Sequence, residues 1–219
     1  MRIHDLSASY GKRLVLDNVH LEVNEGDILL ITGNNGCGKS TLLKVLFGLH
    51  KPRERSVIDI LTAGKIIRIS NATVKDHLAM GLAYVPQKEG LFNDLTVLDN
   101  LRISGHMLSQ KELDYAINHV MSLFPWLNKY LYRKPLSLSG GEYQMVAIAM
   151  ALLHQPKLLL IDEPIASLAN RMAEQVASAL KHTHECQNTS MIIVEHRISE
   201  LAVLNPRRID LNLGQLSEL

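Results

Sequence analysis

Apolar and polar positions alternate near the start of the chain and then give way to short, wholly apolar runs. Over residues 19–23 every second position is apolar, which predicts a half-buried strand. Residues 28–32 form a short apolar run that is typical of a strand buried on both faces. Residues 39–47 then have apolar positions at helical spacing, and Gly48 marks the predicted end of that helix. This region therefore predicts a strand, a glycine-rich loop and a helix in succession.

Further short apolar runs predict the remaining strands. Two of them, 57–60 and 66–69, flank Ala63-Gly64 and are expected to pair antiparallel. The others alternate with helical segments, one of them over about 170–182, and this alternation implies a parallel sheet covered by helices on both faces. These strands are predicted at 82–85, 158–162 and 191–194, with a last edge strand at 209–213.

The middle of the chain, residues 88–154, changes character and is predicted to be mainly helical. Residues 113–124 repeat apolar positions at helical spacing, and Pro125-Trp126 ends that helix. Hydroxyl residues followed three positions later by an acid resemble capping boxes at the helix starts. These pairs are Thr96 with Asp99, Ser109 with Glu112, and Ser139 with Glu142. We therefore expect a helical lobe inserted into the sheet-bearing core.

The composition is that of a packed globular protein. The chain has 219 residues, 47% of them hydrophobic and 21% charged, which excludes disorder and collagen-like repeats. Its formal net charge of +1 disfavours a strongly basic nucleic-acid binder, so no nucleic-acid partner is expected. Cys37 and Cys186 do not make a disulfide framework. Because we find neither a signal peptide nor an apolar run of about 18 residues, we expect a cytoplasmic domain that can still dock on a membrane protein.

The glycine-rich loop has the spacing G-x-x-x-x-G-K-[ST] between a predicted strand and a predicted helix. Its glycines let consecutive N–H groups turn toward an anion, and the helix start adds positive potential. We expect Lys39 to reach the β- and γ-phosphates of a nucleotide and the Ser40 hydroxyl to ligate Mg²⁺. The strand–loop–helix context disfavours a chance glycine-rich turn, and Cys37 is interpreted as a small filler residue. The predicted nucleotide-binding residues are Gly33, Asn34, Asn35, Gly36, Cys37, Gly38, Lys39, Ser40 and Thr41.

Two acids, Asp162 and Glu163, follow a predicted buried strand. In open α/β sheets, ligands bind beyond the carboxyl ends of the strands. We expect Asp162 to hold Mg²⁺, directly or through water, and Glu163 to polarise a water that attacks the γ-phosphate. These two acids alone fit a helix N-cap equally well, but the phosphate-binding loop favours the catalytic interpretation.

Between these motifs lies Leu138-Ser139-Gly140-Gly141-Glu142, and here the chain resembles the ATP-binding subunits of ABC transporters, whose hallmark is LSGGQ. On the residues alone, Ser139, Gly140 and Gly141 would be a structural helix cap; the resemblance makes them a second anion-binding helix start. It implies an α/β fold, namely a P-loop NTPase (RecA-like) core with a mainly parallel sheet, an antiparallel β subdomain and a helical signature subdomain. It also implies a single ABC ATPase domain over 1–219, with 1–87 and 155–219 forming the core with its β subdomain and 88–154 the helical subdomain.

The resemblance covers essentially the whole chain and implies further site residues. Tyr10 matches the aromatic ring that stacks on adenine. Gln87 matches the glutamine that contacts Mg²⁺ and the attacking water and that begins the segment touching the membrane partner. His196 matches the switch histidine that contacts the γ-phosphate. Catalysis is thus expected from Glu163, His196 and Gln87, and metal binding from Ser40, Gln87 and Asp162, with ATP and Mg²⁺ bound.

The resemblance further implies how the chain is assembled. ATP is expected to lie between two such subunits, identical or paralogous, that drive integral-membrane permease subunits from the inner face of the cell membrane. Local matches favour the subunits of branched-chain amino-acid importers, including Ser167-Leu168-Ala169-Asn170, which matches their D-loop. Departures from the family are Glu142 for Gln, Met150 for Arg, and Ala169 without a carboxylate. Subunits for lipid, lipopolysaccharide or urea transport, soluble ABC ATPases, a non-hydrolysing ATP sensor and an ordinary P-loop kinase or GTPase are the alternatives.

Overall fold

The computed structural model describes residues 1–62, 65–87 and 90–218. Short 3₁₀ turns lie at Pro125–Tyr130, Pro135–Ser137 and Ala202–Leu204. In chain order the elements are β1 (Arg2–Tyr10), β2 (Arg13–Glu22), β3 (Ile28–Thr32), α1 (Lys39–Leu46), β4 (Val57–Thr62), β5 (Lys65–Arg68), α2 (Val74–Ala79), β6 (Leu82–Val85), α3 (Val97–Ser104), α4 (Gln110–Leu123), α5 (Gly140–Leu152), β7 (Leu158–Asp162), α6 (Asn170–Gln187), β8 (Ser190–Val194), α7 (Ile198–Leu201), β9 (Arg207–Asn212) and β10 (Gln215–Glu218).

The central sheet has the strand order β10-β9-β3-β8-β7-β6, and every pair except β10–β9 is parallel. The predicted parallel sheet is therefore confirmed. The predicted edge position of 209–213 is wrong, since β9 pairs on one side with β3 and on the other with β10, which forms the edge. The sequence signal for β10 is weak because its four residues are mostly exposed.

Two apolar cores lie on opposite faces of the central sheet, because successive side chains of a strand point to opposite sides. In β7, Leu159 and Ile161 join the core shared with α3, α4, α5 and α6. Leu158 and Leu160 join the other core, which α1 and the antiparallel sheet complete. Each such buried side chain contributes about 1.5–3 kcal/mol to folding, so the strand that carries Asp162 is firmly held.

The second sheet is antiparallel, with the order β2-β1-β4-β5. The predicted pairing of 57–60 with 66–69 is confirmed, with Ile60 opposite Ile67. The turn predicted at Ala63-Gly64 lies outside the described residues. The full length of β1 and β2, and the helix α2, were not predicted.

The segment between β6 and β7 carries α3, α4 and α5, in agreement with its predicted helical character. Ser109 and Ser139 form complete capping boxes, whereas the Thr96 hydroxyl accepts the Asp99 N–H without the reciprocal bond. Helix α6 continues to Gln187, beyond the predicted end near residue 182. Within the described part of the chain, every helix is too short or too polar to cross a membrane. The division of the chain at residues 88 and 154 stays a prediction.

Candidate nucleotide site

The loop between β3 and α1 is shaped by glycines in the left-handed backbone region. Gly33, Gly36 and Gly38 have φ of 136°, 79° and 114°. A Cβ at Gly33 would lie 2.1 Å from the Leu211 carbonyl oxygen, and one at Gly38 would lie 2.9 Å from Leu16. Gly33 and Gly38 are therefore required both for their backbone angles and for close contact with neighbouring strands, whereas Gly36 is favoured by its backbone angle alone.

Lys39 is the first residue of α1 and is 6% exposed. Its ammonium group folds back over the loop and donates to the carbonyl oxygens of Gly33 at 2.7 Å and Asn34 at 3.0 Å. Its Nζ also lies 3.9 Å from the Cys37 sulfur. A cation is thus fixed among backbone groups at a helix start, where the helix dipole also favours an anion.

Asp162 ends β7 and is 3% exposed, and its Oδ1 has no hydrogen-bond partner among the described residues. Burial raises the pKa of Asp162, while the neighbouring Ser40 hydroxyl opposes that shift. An unpartnered buried carboxylate oxygen beside a serine hydroxyl fits a hard divalent cation. No group of three or more His, Cys, Asp or Glu side chains suited to a metal occurs in the described ranges. A site with only these two protein donors, Ser40 and Asp162, suits Mg²⁺, because this ion keeps several water ligands and also binds phosphate oxygens.

Gln87, Glu163 and His196 meet beyond the ends of three neighbouring strands, β6, β7 and β8. The Gln87 amide nitrogen donates to Glu163 Oε2, and His196 Nε2 lies 3.8 Å from Glu163 Oε1. Glu163 has a φ of 50°, a strained conformation for a residue with a side chain. Parallel strands place their carboxyl ends at one edge of the sheet, so this cluster adjoins Asp162.

Tyr10 lies at the end of β1, and the residue is 49% exposed. One face stacks on His50, with ring centroids 4.4 Å apart and an interplanar angle of 26°. The stacking on His50 therefore helps to fix the orientation of the ring, while about half of the residue stays exposed. His50 was not singled out in the sequence, because a lone histidine after a helix carries no recognisable signal.

The Ser139–Gly141 segment starts α5 in the helical part of the chain. The Ser139 hydroxyl accepts the Glu142 N–H at 3.3 Å, and Glu142 accepts the Ser139 N–H at 2.8 Å. A Cβ at Gly140 would meet no atom within 4 Å, whereas one at Gly141 would lie 2.9 Å from both Leu168 and Met172. Gly140 is therefore open to solvent, and Gly141 allows close packing against the start of α6. Among the described residues, no hydrogen bond links this segment to the phosphate loop of the same chain.

Sequence reasoning missed the fully buried Glu195. Its Oε1 accepts the N–H groups of His196 at 2.7 Å and Arg197 at 3.2 Å, and its Oε2 accepts that of Ile165 at 3.0 Å. A carboxylate at the end of an apolar strand was the available signal, the same one that pointed to Asp162.

Comparisons with known proteins agree with this geometry. A family profile described as ABC transporter matches residues 16–166, more than half of the chain. The chain is 33% identical over 198 residues to the probable branched-chain amino acid transport ATP-binding protein LivF of Archaeoglobus fulgidus, covering 90% of this chain and 82% of that protein. It is 32% identical over 221 residues to the maltose/maltodextrin import ATP-binding protein MalK of Mannheimia succiniciproducens, covering 99% of this chain and 56% of that protein.

A solved structure gives the same result for the fold. It is a dimeric ATP-binding cassette in a post-hydrolysis state, bound to ADP and Pi, with a TM-score of 0.85 and 27% identity, covering 100% of this chain and 98% of that one. The predicted α/β P-loop NTPase fold is therefore confirmed. The chain belongs to the ABC transporter family, as an ATP-binding cassette that hydrolyses ATP.

Proposed function

We propose that this chain is the ATPase subunit of a membrane transporter, that it closes with a second subunit around MgATP, and that this closure drives a permease. The observation that carries the proposal is the cluster of Gln87, Glu163 and His196 beside the unpartnered carboxylate of Asp162. A purely structural helix cap would require neither the strained backbone of Glu163 nor the contacts of two distant loops with its carboxylate.

The phosphate loop binds the triphosphate through its N–H groups and Lys39. Ser40 and Asp162 would hold Mg²⁺, which would supply positive charge to neutralise the phosphates. Gln87 would complete this metal site from the neighbouring strand. Tyr10 stacks on the adenine ring from the edge of the antiparallel sheet.

Hydrolysis requires a water whose oxygen attacks the γ-phosphorus while the bond to the bridging oxygen of ADP breaks. Glu163 orients this water and accepts its proton. Gln87 donates a hydrogen bond to one carboxylate oxygen of Glu163. His196 lies near the other carboxylate oxygen and contacts the γ-phosphate. The products are ADP and inorganic phosphate, and loss of the shared γ-phosphate weakens the closed dimer.

The second anion-binding helix start supports a site shared between two subunits. Ser139 and Gly140 are exposed at the start of α5, in a different part of the chain from the phosphate loop. In the proposed dimer, this start faces the triphosphate held by the other subunit. The γ-phosphate then joins the two chains, so ATP stabilises the closed state.

We propose branched-chain amino acids as the transported compounds and the inner face of the cell membrane as the location. The LivF similarity supports this substrate class, and the nearly equal identity to MalK is why the substrate requires its own test. Co-purification with membrane permease subunits, followed by uptake of labelled leucine and maltose into vesicles, separates the two importer classes. A chain that instead co-purifies with DNA or ribosomes would support the soluble ABC ATPase.

The experiment for the shared site uses Glu163→Gln, which keeps the side chain's size but removes the base. We expect MgATP to shift this variant from monomer to dimer in size-exclusion chromatography, because ATP binds but is not consumed. MgADP is the matched control and should leave it monomeric. A variant that binds MgATP and stays monomeric at high protein concentration would contradict the shared site.

A further inference from the structure

Two loops leave the sheet from neighbouring strands, and each lies next to or contains a residue of the proposed hydrolytic site. One follows β7 and comprises residues 164–170, after Glu163. The other follows β8 and comprises residues 195–197, including His196. We call these segments the 164–170 loop and the 195–197 loop. The side chains on either side of His196 bind the two loops together.

Arg197 makes the larger part of this connection. Its Nη1 donates to the carbonyl oxygens of Ile165 at 3.0 Å and Leu168 at 2.6 Å. Its Nη2 donates to Asn170 Oδ1 at 2.9 Å, and its Nε donates to Glu200 at 2.8 Å. A second bond from Nη2 to Glu200 completes the set. All five N–H donors of the guanidinium are thus engaged, three of them by the 164–170 loop.

Glu195 makes the rest of the connection from a fully buried position. One of its carboxylate oxygens accepts two N–H groups of its own loop, and the other accepts the N–H of Ile165. A buried carboxylate satisfied by three backbone donors is a rigid unit. The two loops therefore have a common hydrogen-bonded frame.

The 164–170 loop has few polar side chains of its own to fix its path. Ala169 occupies the N-cap position of α6 and provides no side-chain cap. The Asn170 side chain, next in line, is used by Arg197. The position of this loop is thus set largely from the 195–197 loop.

The 164–170 loop also touches the start of α5. Leu168 lies so close to Gly141 that a Cβ there would be 2.9 Å from the leucine side chain. Arg197 holds the carbonyl of that same leucine. A continuous path of contacts therefore runs from His196 through Arg197 and Leu168 to Gly141.

We infer that Arg197 is a positioning residue that couples the hydrolytic site of its own chain to the helix start that serves the other ATP. The inference rests on the proposed function. When His196 moves on meeting or losing a γ-phosphate, Arg197 moves Leu168 with it, and the packing of Leu168 on Gly141 transmits the change to α5. Arg197 itself need not touch ATP, so its loss should spare nucleotide binding and impair turnover.

The test compares Arg197→Ala and Arg197→Lys with wild type in the full-length chain. We expect the Kd for a fluorescent ATP analogue with Mg²⁺ to change by less than about twofold, because the phosphate loop is untouched. We expect kcat to fall about tenfold or more in both variants, since a lysine cannot reproduce the planar fork of bonds. Arg208→Ala, which removes an exposed arginine from β9, is the matched control and should retain wild-type kcat.

A double-mutant cycle measures the energetic coupling between Arg197 and Leu168, which a merely structural role of Arg197 would not produce. Leu168→Ala removes the far end of the path while leaving Arg197 in place, and we expect its effect on kcat to be lost in the Arg197→Ala background. Additive losses would overturn the inference, as would wild-type kcat in either Arg197 variant. If Arg197→Ala does not fold, Arg197→Lys with Leu168→Ala provides the same cycle.

The two failures are distinguishable. If wild type hydrolyses ATP and Glu163→Gln dimerises with MgATP, an unaffected Arg197→Lys variant overturns the coupling role alone. If wild type binds ATP without hydrolysing it, the proposed function fails, and the coupling role fails with it.

Discussion

The two helix starts that we propose to face ATP phosphates, those of α1 and α5, are built in opposite ways. α1 begins after Gly38, which has a φ of 114° and no side chain with which to cap the helix. α5 begins after Ser139, which has a φ of −65° and caps the Glu142 N–H with its own hydroxyl. The first N–H groups of α1 therefore need hydrogen-bond acceptors from a ligand. In α5, by contrast, the Ser139 hydroxyl already accepts one of the first N–H groups. This difference fits the proposed function, in which the α1 start binds the triphosphate by itself and the α5 start completes the site of the other subunit.

Charge separates the two starts further. Lys39 lies at the first position of α1, whereas Glu142 places a carboxylate over the first turn of α5. Burial acts to raise the pKa of Glu142, but hydrogen bonds from Tyr130 and Ser139 outweigh it and leave that pKa lowered. Glu142 is therefore ionised at neutral pH. The α5 start is less electropositive than the α1 start, which fits the weaker, reversible phosphate binding that we propose for it.

The largest expected effect comes from Lys39→Ala at the α1 start. Losing a charged donor costs about 1.5–3 kcal/mol, or about 10- to 150-fold in the Kd for ATP. Isothermal titration with MgATP measures this change. Lys111→Ala, on the exposed face of α4, is the control. An unchanged Kd in Lys39→Ala would contradict the phosphate loop as the primary site.

Alanine substitutions at Gly38 and Gly140 test whether the two helix starts differ in the backbone conformation that they require. Gly38→Ala forces a side chain into a positive φ and against Leu16, so we expect a loss of about 2 kcal/mol of stability together with nucleotide affinity. Gly140→Ala has open space and a helical backbone, so its melting temperature should stay within about 2 °C of wild type. If Gly140→Ala melts lower than Gly38→Ala, the comparison is wrong.

Asp162→Asn tests whether the buried carboxylate beside the α1 start destabilises the folded protein, an effect that has no counterpart at the α5 start. The raised pKa of Asp162 means that its ionised form is disfavoured in the folded state, so folding loses stability as the pH rises from 3.8 through that higher pKa. Without nucleotide, we expect the free energy of unfolding of Asp162→Asn to exceed that of wild type by about 1 kcal/mol at neutral pH. This corresponds to a melting temperature roughly 2–4 °C higher.

This stability difference should shrink as the pH falls through the raised pKa of Asp162, and it should vanish below 3.8, where the carboxyl group is neutral in both the folded and the unfolded state. Magnesium-dependent hydrolysis should be lost in the same variant. Asp94→Asn, at an exposed position, is the control for removing a charge. A lower melting temperature in Asp162→Asn at every pH would argue against a strained, unpartnered carboxylate.

The smallest expected effect is at the α5 start itself. Glu142→Gln removes a negative charge from the first turn of α5, where we propose that phosphate binds. We therefore expect ATP-dependent dimerisation to become about two- to fivefold tighter, which corresponds to about 0.3–1 kcal/mol. Analytical ultracentrifugation in the Glu163→Gln background measures it. Asp114→Asn on α4 is the matched control. Weaker dimerisation in Glu142→Gln would mean that the carboxylate stabilises the shared site.

The sequence predicted the elements that carry the two starts because the signals for them are local. The apolar run of β3, the glycines of the phosphate loop and the Ser139 capping box each act within a few residues, so they can be read without knowing the rest of the fold. The position of β9 could not be read in this way. Its apolar residues fit an edge or an interior strand equally well, and β10 decided between them.

By itself, then, the sequence determined most of the segments that form helices and strands, the glycine-rich loop between β3 and α1, and through its motifs the family. Only the tertiary structure decided which distant side chains meet, namely that Gln87 and His196 reach Glu163 and that Arg197 and Glu195 join the two loops beside it. The physical reason is range. Backbone propensity and capping depend on near neighbours, whereas these contacts exist only after the parallel strands align their carboxyl ends and burial fixes the loops between them.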